Sequence, residues 1–276
     1  NDLIPLESYF ESEYFDDVNQ RLTNKLSTNL LNLDGALDGG ISSELYVLAG
    51  AEYSPRHAML IHLAERFAKT GYIVLYFSMF SSLESIMQKF IMRCDFKLHH
   101  DTSTTFPSII ETLENSFKLK SIFNQKLNEI LPQIFVSNFK NSRENVEQMI
   151  YDSRKLGKVA VLIDEYQTVP INELDYKYYR SKFMMFKLYS QIYEVPIIMM
   201  ENLPRDTYSN LWDGYPTLGA FENFGDNILL FGEEKKTLSI NAPNIVEIKH
   251  INKTSFIDAR STSLIYYPNH YYFQDA

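Results

Sequence analysis

The stretch Ala49-Gly50-Ala51-Glu52-Tyr53-Ser54-Pro55-Arg56-His57 decides how this chain of 276 residues folds. Before it, Leu45 to Leu48 predicts a short buried strand, and after it, Ala58 to Lys69 predicts an amphipathic helix. A strand, a loop that begins with glycine and a helix are the setting of a phosphate-binding loop. The segment therefore predicts an α/β fold built around a nucleotide-binding unit.

The loop itself lacks most of the groups that bind phosphate. A working loop reads G-x-x-x-x-G-K-[ST]: glycines let backbone N–H groups surround phosphates, lysine adds charge, and the hydroxyl binds Mg²⁺. Here Pro55 replaces the second glycine and removes a donor, and the bulky Tyr53 occupies a middle position. Arg56 replaces the lysine with a longer, planar group, and His57 replaces the hydroxyl with a poor ligand for Mg²⁺. The sequence predicts a degenerate phosphate loop made of Gly50, Arg56 and His57.

Six segments, in order from about Ser27 to the C-terminus, resemble the RecA-like C-terminal motor domain of DnaB-type replicative helicases. No single segment is specific, but their order is. The resemblance implies an α/β, RecA-like P-loop NTPase fold with a mainly parallel central sheet, flanking helices and antiparallel C-terminal strands. The segments are Leu33-Asp34 with Gly39-Gly40 and the strand into Gly50; Tyr76 to Ser82; Val159 to Asp164, which resembles the Walker B strand, with Gln167; Val195 to Met200 with Asn202 and Arg205; Gly219 to Glu222; and Asp226 with Ile228 to Phe231.

The departures from the family pattern fall on the positions that the resemblance would make catalytic. Phe80 occupies the position of the glutamate that activates water, and a phenyl ring cannot act as a general base. Ser255 stands where the family has an arginine finger, next to a matching Lys253. We therefore expect no catalytic residues and no metal site. The vestigial positions are Asp164, Gln167, Arg205 and Lys253.

Two alternatives remain open at this stage. An atypical ATP-dependent DNA helicase would use ATP and Mg²⁺, take its positive charge from Arg56 and recruit Glu165 or Glu84 as the base. Other residues would have to replace the missing glycine, lysine, hydroxyl and glutamate all at once, because phosphoryl transfer relies on these groups as a unit. An anion sensor would instead hold phosphate or an acidic side chain at the start of the helix, with Arg56 and His57, and without turnover. The preferred interpretation needs no cofactor.

Charge and composition bear on partners. The formal net charge is −9, which argues against a broad DNA-binding face but not against a small basic channel. The loop Trp212 to Leu218, at the place where the family grips DNA, has no basic residue. The best basic cluster is Lys177, Arg180 and Lys182, interleaved with tyrosines, and it favours a solvated helix start over single-stranded DNA binding. By resemblance, the expected partners are further copies of the chain, an active helicase or other replication proteins.

The remaining composition is typical of a cytoplasmic protein. The single cysteine, Cys94, excludes intrachain disulfides and lies in an apolar helical pattern that predicts packing and not reactivity. The sequence as given indicates neither a membrane span nor a signal peptide, and we expect neither. The six histidines include one adjacent pair, His99-His100, which has no metal-ligand spacing.

The chain divides into a leader or linker helix over residues 1–26 and a RecA-like domain over 27–276. The leader is acidic and carries apolar residues at near-helical spacing; in the resembled family such a helix packs on a neighbouring subunit, and folding back on its own domain is the alternative. Phe96 to Ile130 predicts peripheral helices, Gln133 to Val136 a short central strand, and Ser142 to Leu156 a helix. The C-terminal segments Ile245 to Ile251, Ser263 to Tyr267 and Tyr271 to Phe273 predict strands, with a turn at Pro268-Asn269.

Overall fold

A computed structural model of the chain describes residues 24–50, 54–78, 81–138, 144–164, 173–203, 209, 226–232, 242–252 and 260–276. The predicted leader, apart from residues 24–26, lies outside them. The described residues form nine strands: β1 Leu45–Gly50, β2 Ile73–Ser78, β3 Ile134–Asn138, β4 Val159–Asp164, β5 Ile197–Asn202, β6 Asn227–Phe231, β7 Asn244–Asn252, β8 Arg260–Tyr267 and β9 Tyr272–Asp275.

The same residues form seven α-helices and two 3₁₀ turns. The helices are α1 Leu31–Ala36, α2 Arg56–Lys69, α3 Leu83–His99, α4 Phe106–Asn115, α5 Phe117–Asn128, α6 Glu144–Arg154 and α7 Glu173–Tyr193. The 3₁₀ turns are Leu131–Gln133 and Pro268–His270. The predicted peripheral helices, the helix before the Walker B strand and the C-terminal strands are confirmed, and the predicted turn at Pro268 is the second 3₁₀ turn.

All nine strands belong to one sheet, in the order β3-β2-β4-β5-β1-β6-β7-β8-β9. From β3 to β6 the neighbours are parallel, and from β6 to β9 they are antiparallel. This arrangement confirms the predicted fold class. The strands β1, β4 and β5 are buried along nearly their whole length, as expected of parallel strands covered by helices on both faces.

Two apolar layers cover the faces of the sheet. One layer centres on α2 and includes residues of α1, α3 and the C-terminal strands, and the other centres on α6 and α7. Tyr189 and Tyr193 of α7 both donate hydrogen bonds of 3.0 Å to the carboxylate of Glu147 on α6. These bonds fix the two helices of the second layer against each other.

The strand predicted as central is in fact at the edge. Among the described residues β3 pairs with β2 alone, so the prediction for Gln133 to Val136 was wrong in its position. Ile134 and Val136 pack against the α2 layer, whereas Phe135 points to the other face and is half exposed. A short apolar run does not reveal whether a strand has one neighbour or two.

Helix α2 is also more buried than an amphipathic helix. It packs against the strands β1, β2, β4, β5 and β9 and against α3. Eleven of its fourteen residues are buried, and these include the polar residues Arg56, His62 and Glu65. His62 lies against Phe273 of β9 and Glu65 against Arg93 of α3, so these buried polar groups need partners within the protein.

The segment before β1 is fixed by one carboxylate. Asp34 accepts hydrogen bonds from the backbone N–H and the hydroxyl of Thr28, both at 2.7 Å, and from Ser27 at 2.6 Å. Gly40 follows with a φ of +129°, and a Cβ there would lie 2.4 Å from the carbonyl oxygen of Leu26. The glycine is therefore required for the close pairing of Leu26 with Ile41, which leads the chain into β1.

Candidate nucleotide site

The candidate site lies where the carboxyl ends of the parallel strands meet. Six parallel strands end along this edge, at Gly50 of β1, Ser78 of β2, Asn138 of β3, Asp164 of β4, Asn202 of β5 and Phe231 of β6. In open α/β sheets ligands bind at this edge. The structure thus places Gly50, Arg56, His57 and Asp164 in the neighbourhood that the sequence assigned to them.

Gly50 has a packing role that does not depend on phosphate. A Cβ at this position would lie 2.7 Å from Ser54 Oγ and 3.2 Å from the carbonyl oxygen of Phe231 on β6. A side chain here would therefore have to displace Ser54 and press against the backbone of β6. The presence of this glycine alone is not a sign of a working phosphate loop.

The start of α2 offers few donors to an anion. Pro55 takes the N-cap position with a φ of −78°, has no N–H, and makes no capping hydrogen bond with its own side chain. The next backbone N–H, that of Arg56, donates to the carbonyl oxygen of Ser54 at 2.8 Å. Two of the donors that a phosphate loop would direct at its ligand are thus absent or engaged.

Arg56 is turned into the protein. Its side chain is 3% exposed, and its Nε donates to Ser54 Oγ at 2.6 Å. The two terminal nitrogens donate to the backbone carbonyl of Glu201 and to the side-chain oxygen of Asn202, both on β5. The guanidinium that replaces the phosphate-binding lysine therefore fixes α2 to the end of β5.

His57 and Asp164 contact each other directly. The Nδ1 atom of His57 lies 2.9 Å from Oδ1 of Asp164, and the aspartate side chain is 2% exposed. Ser78 Oγ lies 3.3 Å from the other carboxylate oxygen. In active P-loop enzymes the hydroxyl at the position of His57 and the Walker B aspartate hold Mg²⁺ between them. Here the imidazole of His57 lies against Oδ1 of Asp164, one of the two oxygens available to a metal ion.

The carboxylate of Asp164 is kept ionised. Burial alone would raise its pKa, but the adjacent His57 side chain and the charge of Lys89 hold the pKa below its usual value. Burial lowers the pKa of Lys89 on α3, and Asp164 opposes this effect. Burial and the nearby Asp164 also raise the pKa of Tyr76 well above its usual value. The aspartate is therefore a buried anion whose balancing charges come from the protein.

Solved structures of other proteins have the same architecture. The chain superposes over its full length on the structure described as the ATPase domain of G40P, which it also covers fully, with a TM-score of 0.75 and 15% identity. It also superposes over its full length on a structure of a DnaB-like replicative helicase described with its interactions with primase, with a TM-score of 0.72, 15% identity and 68% of that chain covered. The chain has the fold of a DnaB-type helicase ATPase domain. Neither models of known protein families nor curated protein sequences give a match.

Several predicted site residues of this DnaB-type fold lie outside the described part of the chain. They are Phe80, Glu165, Gln167, Arg205, Lys253 and Ser255, together with the loop Trp212 to Leu218. Glu84, the alternative base, is an exposed second residue of α3, just after the cap Ser82. The helix that carries Lys177, Arg180 and Lys182 is α7, and its backbone confirms the predicted helix.

Sequence reasoning missed the partners that hold Arg56. In the sequence Asn202 belongs only to a segment that resembles the helicase family, and its bond to Arg56 depends on the parallel pairing of Gly50 with Asn202 across β1 and β5. The role of Lys89 was also missed, because it acts on Asp164 from α3. A polar residue directly after a buried strand was the one signal that could have indicated Asn202.

The described residues contain no group of three or more His, Cys, Asp or Glu side chains placed to hold a metal ion. His99 instead lies 2.9 Å from Asp95, one turn before it on α3. Cys94 is partly buried on the same helix, and burial raises the pKa of its thiol to about 11. None of the described helices is long and apolar enough to cross a membrane.

Proposed function

We propose that this protein is a DnaB-type helicase-fold protein that does not hydrolyse ATP and that serves as a binding, regulatory or structural component in DNA replication. The proposal rests on one observation: the two residues at the positions that contact phosphate and Mg²⁺ in active P-loop enzymes are both bound to other residues of this protein. Arg56 binds the end of β5, and His57 binds Asp164. In this account the fold is retained as a scaffold and Gln167, Arg205 and Lys253 are vestigial.

Release of Arg56 toward a phosphate would be costly. The guanidinium would leave Ser54, the carbonyl of Glu201 and Asn202, and a net stabilisation of about 1.5–3 kcal/mol is typical of each hydrogen bond to a charged group. A phosphate would have to repay this cost without the donors of a normal loop, because Pro55 has none. Weak or absent nucleotide binding is the expected result.

Mg²⁺ meets a similar obstacle at Asp164. A metal ion would have to displace the imidazole of His57, which lies 2.9 Å from the carboxylate. Imidazole is a poor ligand for this hard cation, which prefers oxygen ligands in octahedral geometry. Without Mg²⁺ the charge that develops during phosphoryl transfer has no metal to neutralise it.

The replication setting rests on the resemblance and on the shared fold. Self-association and binding to an active helicase or to other replication proteins are the partnerships that suit a retained motor scaffold. One of the similar structures is described with primase interactions, which makes primase a reasonable first partner to test. Single-stranded DNA is the weaker candidate, because the net charge is −9.

The alternative function is an ATP-dependent DNA helicase with atypical site chemistry. The low pKa of Asp164 favours it, because an ionised Walker B carboxylate is what a metal-dependent ATPase needs. A phosphate-release assay with Mg²⁺, with and without single-stranded DNA, separates the two functions. The matched control is Asp164→Ala, which removes the carboxylate. We expect equal background release from both proteins; DNA-stimulated release that disappears in the variant would establish the alternative.

The scaffold role has its own test. Sedimentation velocity of the protein alone, and mixed with a DnaB-type helicase or a primase, would detect assemblies. The proposal predicts either a self-assembled ring or filament, or a shifted boundary in one of the mixtures. A strict monomer that binds neither protein would contradict the scaffold role, whatever the result of the ATPase assay.

A further inference from the structure

A second charged cluster lies at the far end of α2. The carboxylate of Glu65 contacts three cations at once: Lys69 at 2.8 Å, Lys97 at 2.5 Å and Arg93 at 3.1 Å. Lys69 is on the same helix, whereas Arg93 and Lys97 lie one turn apart on α3. These four residues are called the Glu65 cluster below. Three positive charges surround one negative charge, so the cluster carries a net charge of +2.

Among the residues that the structure describes, the groups next to the cluster do not supply the missing negative charge. His62 contacts Arg93, and burial together with the charge of Arg93 lowers the pKa of His62 to about 3, so its imidazole is neutral at pH 7. Glu129 acts on Lys69, but it is already paired with Lys126 at 2.9 Å. The excess positive charge therefore remains at the cluster.

One cation of the cluster, Arg93, is buried, and the other two, Lys69 and Lys97, are partly exposed. Arg93 is 2% exposed; it donates to the backbone carbonyl of Tyr271 and lies 5.2 Å from the centre of the Tyr272 ring. Lys69 and Lys97 retain 40% and 32% of their side-chain exposure, and both of their ammonium groups contact Oε1 of Glu65. A buried cation with two accessible ones beside it is an arrangement that an anion can approach.

The electrostatic cost of this arrangement is seen at Lys97. Burial and the charge of Arg93 lower the pKa of Lys97 to about 8, against the opposing effect of Glu65. Burial alone would raise the pKa of Glu65, but the charges of Arg93, Lys97 and Lys69 hold it well below its usual value. Because a second anion would relieve the repulsion among the cations, the ammonium of Lys97 would become more stable in its presence.

We propose that the Glu65 cluster binds a multivalent phosphate anion through Lys69, Lys97 and the field of Arg93. The anion is either a small polyphosphate or the backbone of a short nucleic acid, since both present the same charged oxygens. The site is distinct from the degenerate nucleotide site. Arg56 and Lys69 are thirteen residues apart on α2, which corresponds to about 20 Å along the helix.

The test is isothermal titration at pH 7 and low salt with two probes, inorganic tripolyphosphate and a thymidine oligonucleotide. The double variant Lys69→Met, Lys97→Met is compared with the matched control Lys155→Met, which removes an exposed lysine paired with Asp152. The double variant should weaken binding about tenfold or more, and the control should leave it within about twofold. Equal binding by the double variant, or no binding of either probe to the unmodified protein, overturns the proposal.

The pH dependence supplies a second readout that a loss of folding cannot imitate. The groups that face Lys97 are Glu65, Lys69 and His62 from α2, Arg93 and Cys94 from α3, and Tyr272 from β9. Between pH 7 and pH 9, Lys97 loses its proton, so affinity should fall as pH rises. Lys97→Arg keeps its charge in this range and should bind with a flatter pH profile. An unchanged profile would contradict the assignment of Lys97.

The two probes identify the source of the phosphate. Binding of tripolyphosphate with no gain for the oligonucleotide supports a small polyphosphate, and tighter binding of the oligonucleotide at equal phosphate concentration supports nucleic acid. Neither titration uses ATP or needs turnover at the nucleotide site. The proposal therefore stands or falls independently of the ATPase assay.

Discussion

Acid should destabilise this protein through one buried histidine. His62 is 6% exposed on α2, with Nε2 lying 2.8 Å from the carbonyl oxygen of Thr28 and Nδ1 lying 3.1 Å from Arg93. An arginine can only donate, so Nδ1 accepts, and the ring proton is on Nε2, where it is donated to Thr28. A second proton on Nδ1 would break the bond to Arg93 and place two cations together.

The magnitude follows from the pKa. The folded value is about 3 and the ordinary value is 6.5, so the unfolded chain binds the additional proton between these limits. Stability conferred by neutral His62 is present above pH 6.5 and is lost as pH falls toward 3. Linkage gives a loss of about 1 kcal/mol from pH 7 to pH 5.5 and about 2 kcal/mol from pH 7 to pH 5.

The assay is urea unfolding at pH 7.0, 5.5 and 5.0, with His62→Gln as the control. The glutamine amide can still donate to Thr28 and accept from Arg93, but it does not titrate. His250, whose pKa is also lowered by burial, titrates in both proteins and cancels in the comparison. The unmodified protein should lose about 2 kcal/mol more than the variant at pH 5. An equal loss in both proteins would refute the assignment of a neutral, buried His62.

Three further substitutions test the packing of the scaffold. Gly50→Ala should lower the free energy of unfolding by about 1–3 kcal/mol, because the new Cβ would meet β6. The control Gly35→Ala, whose Cβ would have nothing within 4 Å, should be neutral or stabilising. Similar losses in both variants would contradict the close approach at Gly50. Glu65→Gln should cost about 3 kcal/mol by denaturant unfolding, since it leaves a buried arginine without its counter-charge, and Glu129→Gln in an exposed pair should have little effect. Asp275 accepts the first two N–H groups of α1 at 2.9 and 2.8 Å, so Asp275→Ala should lower the midpoint of thermal unfolding by an amount corresponding to about 1 kcal/mol; an unchanged midpoint would exclude this cap.

The central strands were predictable because burial on both faces leaves a clear sequence pattern. The apolar runs of β1, β4 and β5 could be placed within about two residues, and their order along the chain suggested the fold. The position of β3 at the edge of the sheet could not be predicted, because it depends on the order in which the strands pair in the folded protein. A five-residue apolar strand looks the same at an edge and in the centre.

The degenerate site stays a prediction from single residues, and the sequence does not indicate how those residues are arranged. The loss of lysine and hydroxyl could be read from Arg56 and His57. The engagement of Arg56 with Asn202 joins residues 146 positions apart, so it depends on the neighbouring positions of β1 and β5 in the sheet. The Glu65 cluster joins α2 to α3 across about thirty residues in the same way, and only the packing of the two helices brings its charges together.

The central claim is that the groups at the nucleotide site are engaged with each other and not available to ATP. Equilibrium titration with a fluorescent ATP analogue and Mg²⁺ tests it most directly, because it needs no turnover, and Arg56→Met provides the matched comparison. Because the phosphates of the analogue would also bind at the Glu65 cluster, both proteins carry the substitutions Lys69→Met and Lys97→Met. The account predicts no saturable, Mg²⁺-dependent binding in either protein. Saturable binding that requires Mg²⁺ and is lost with Arg56→Met would contradict it and would show that Arg56 turns outward to hold the phosphates.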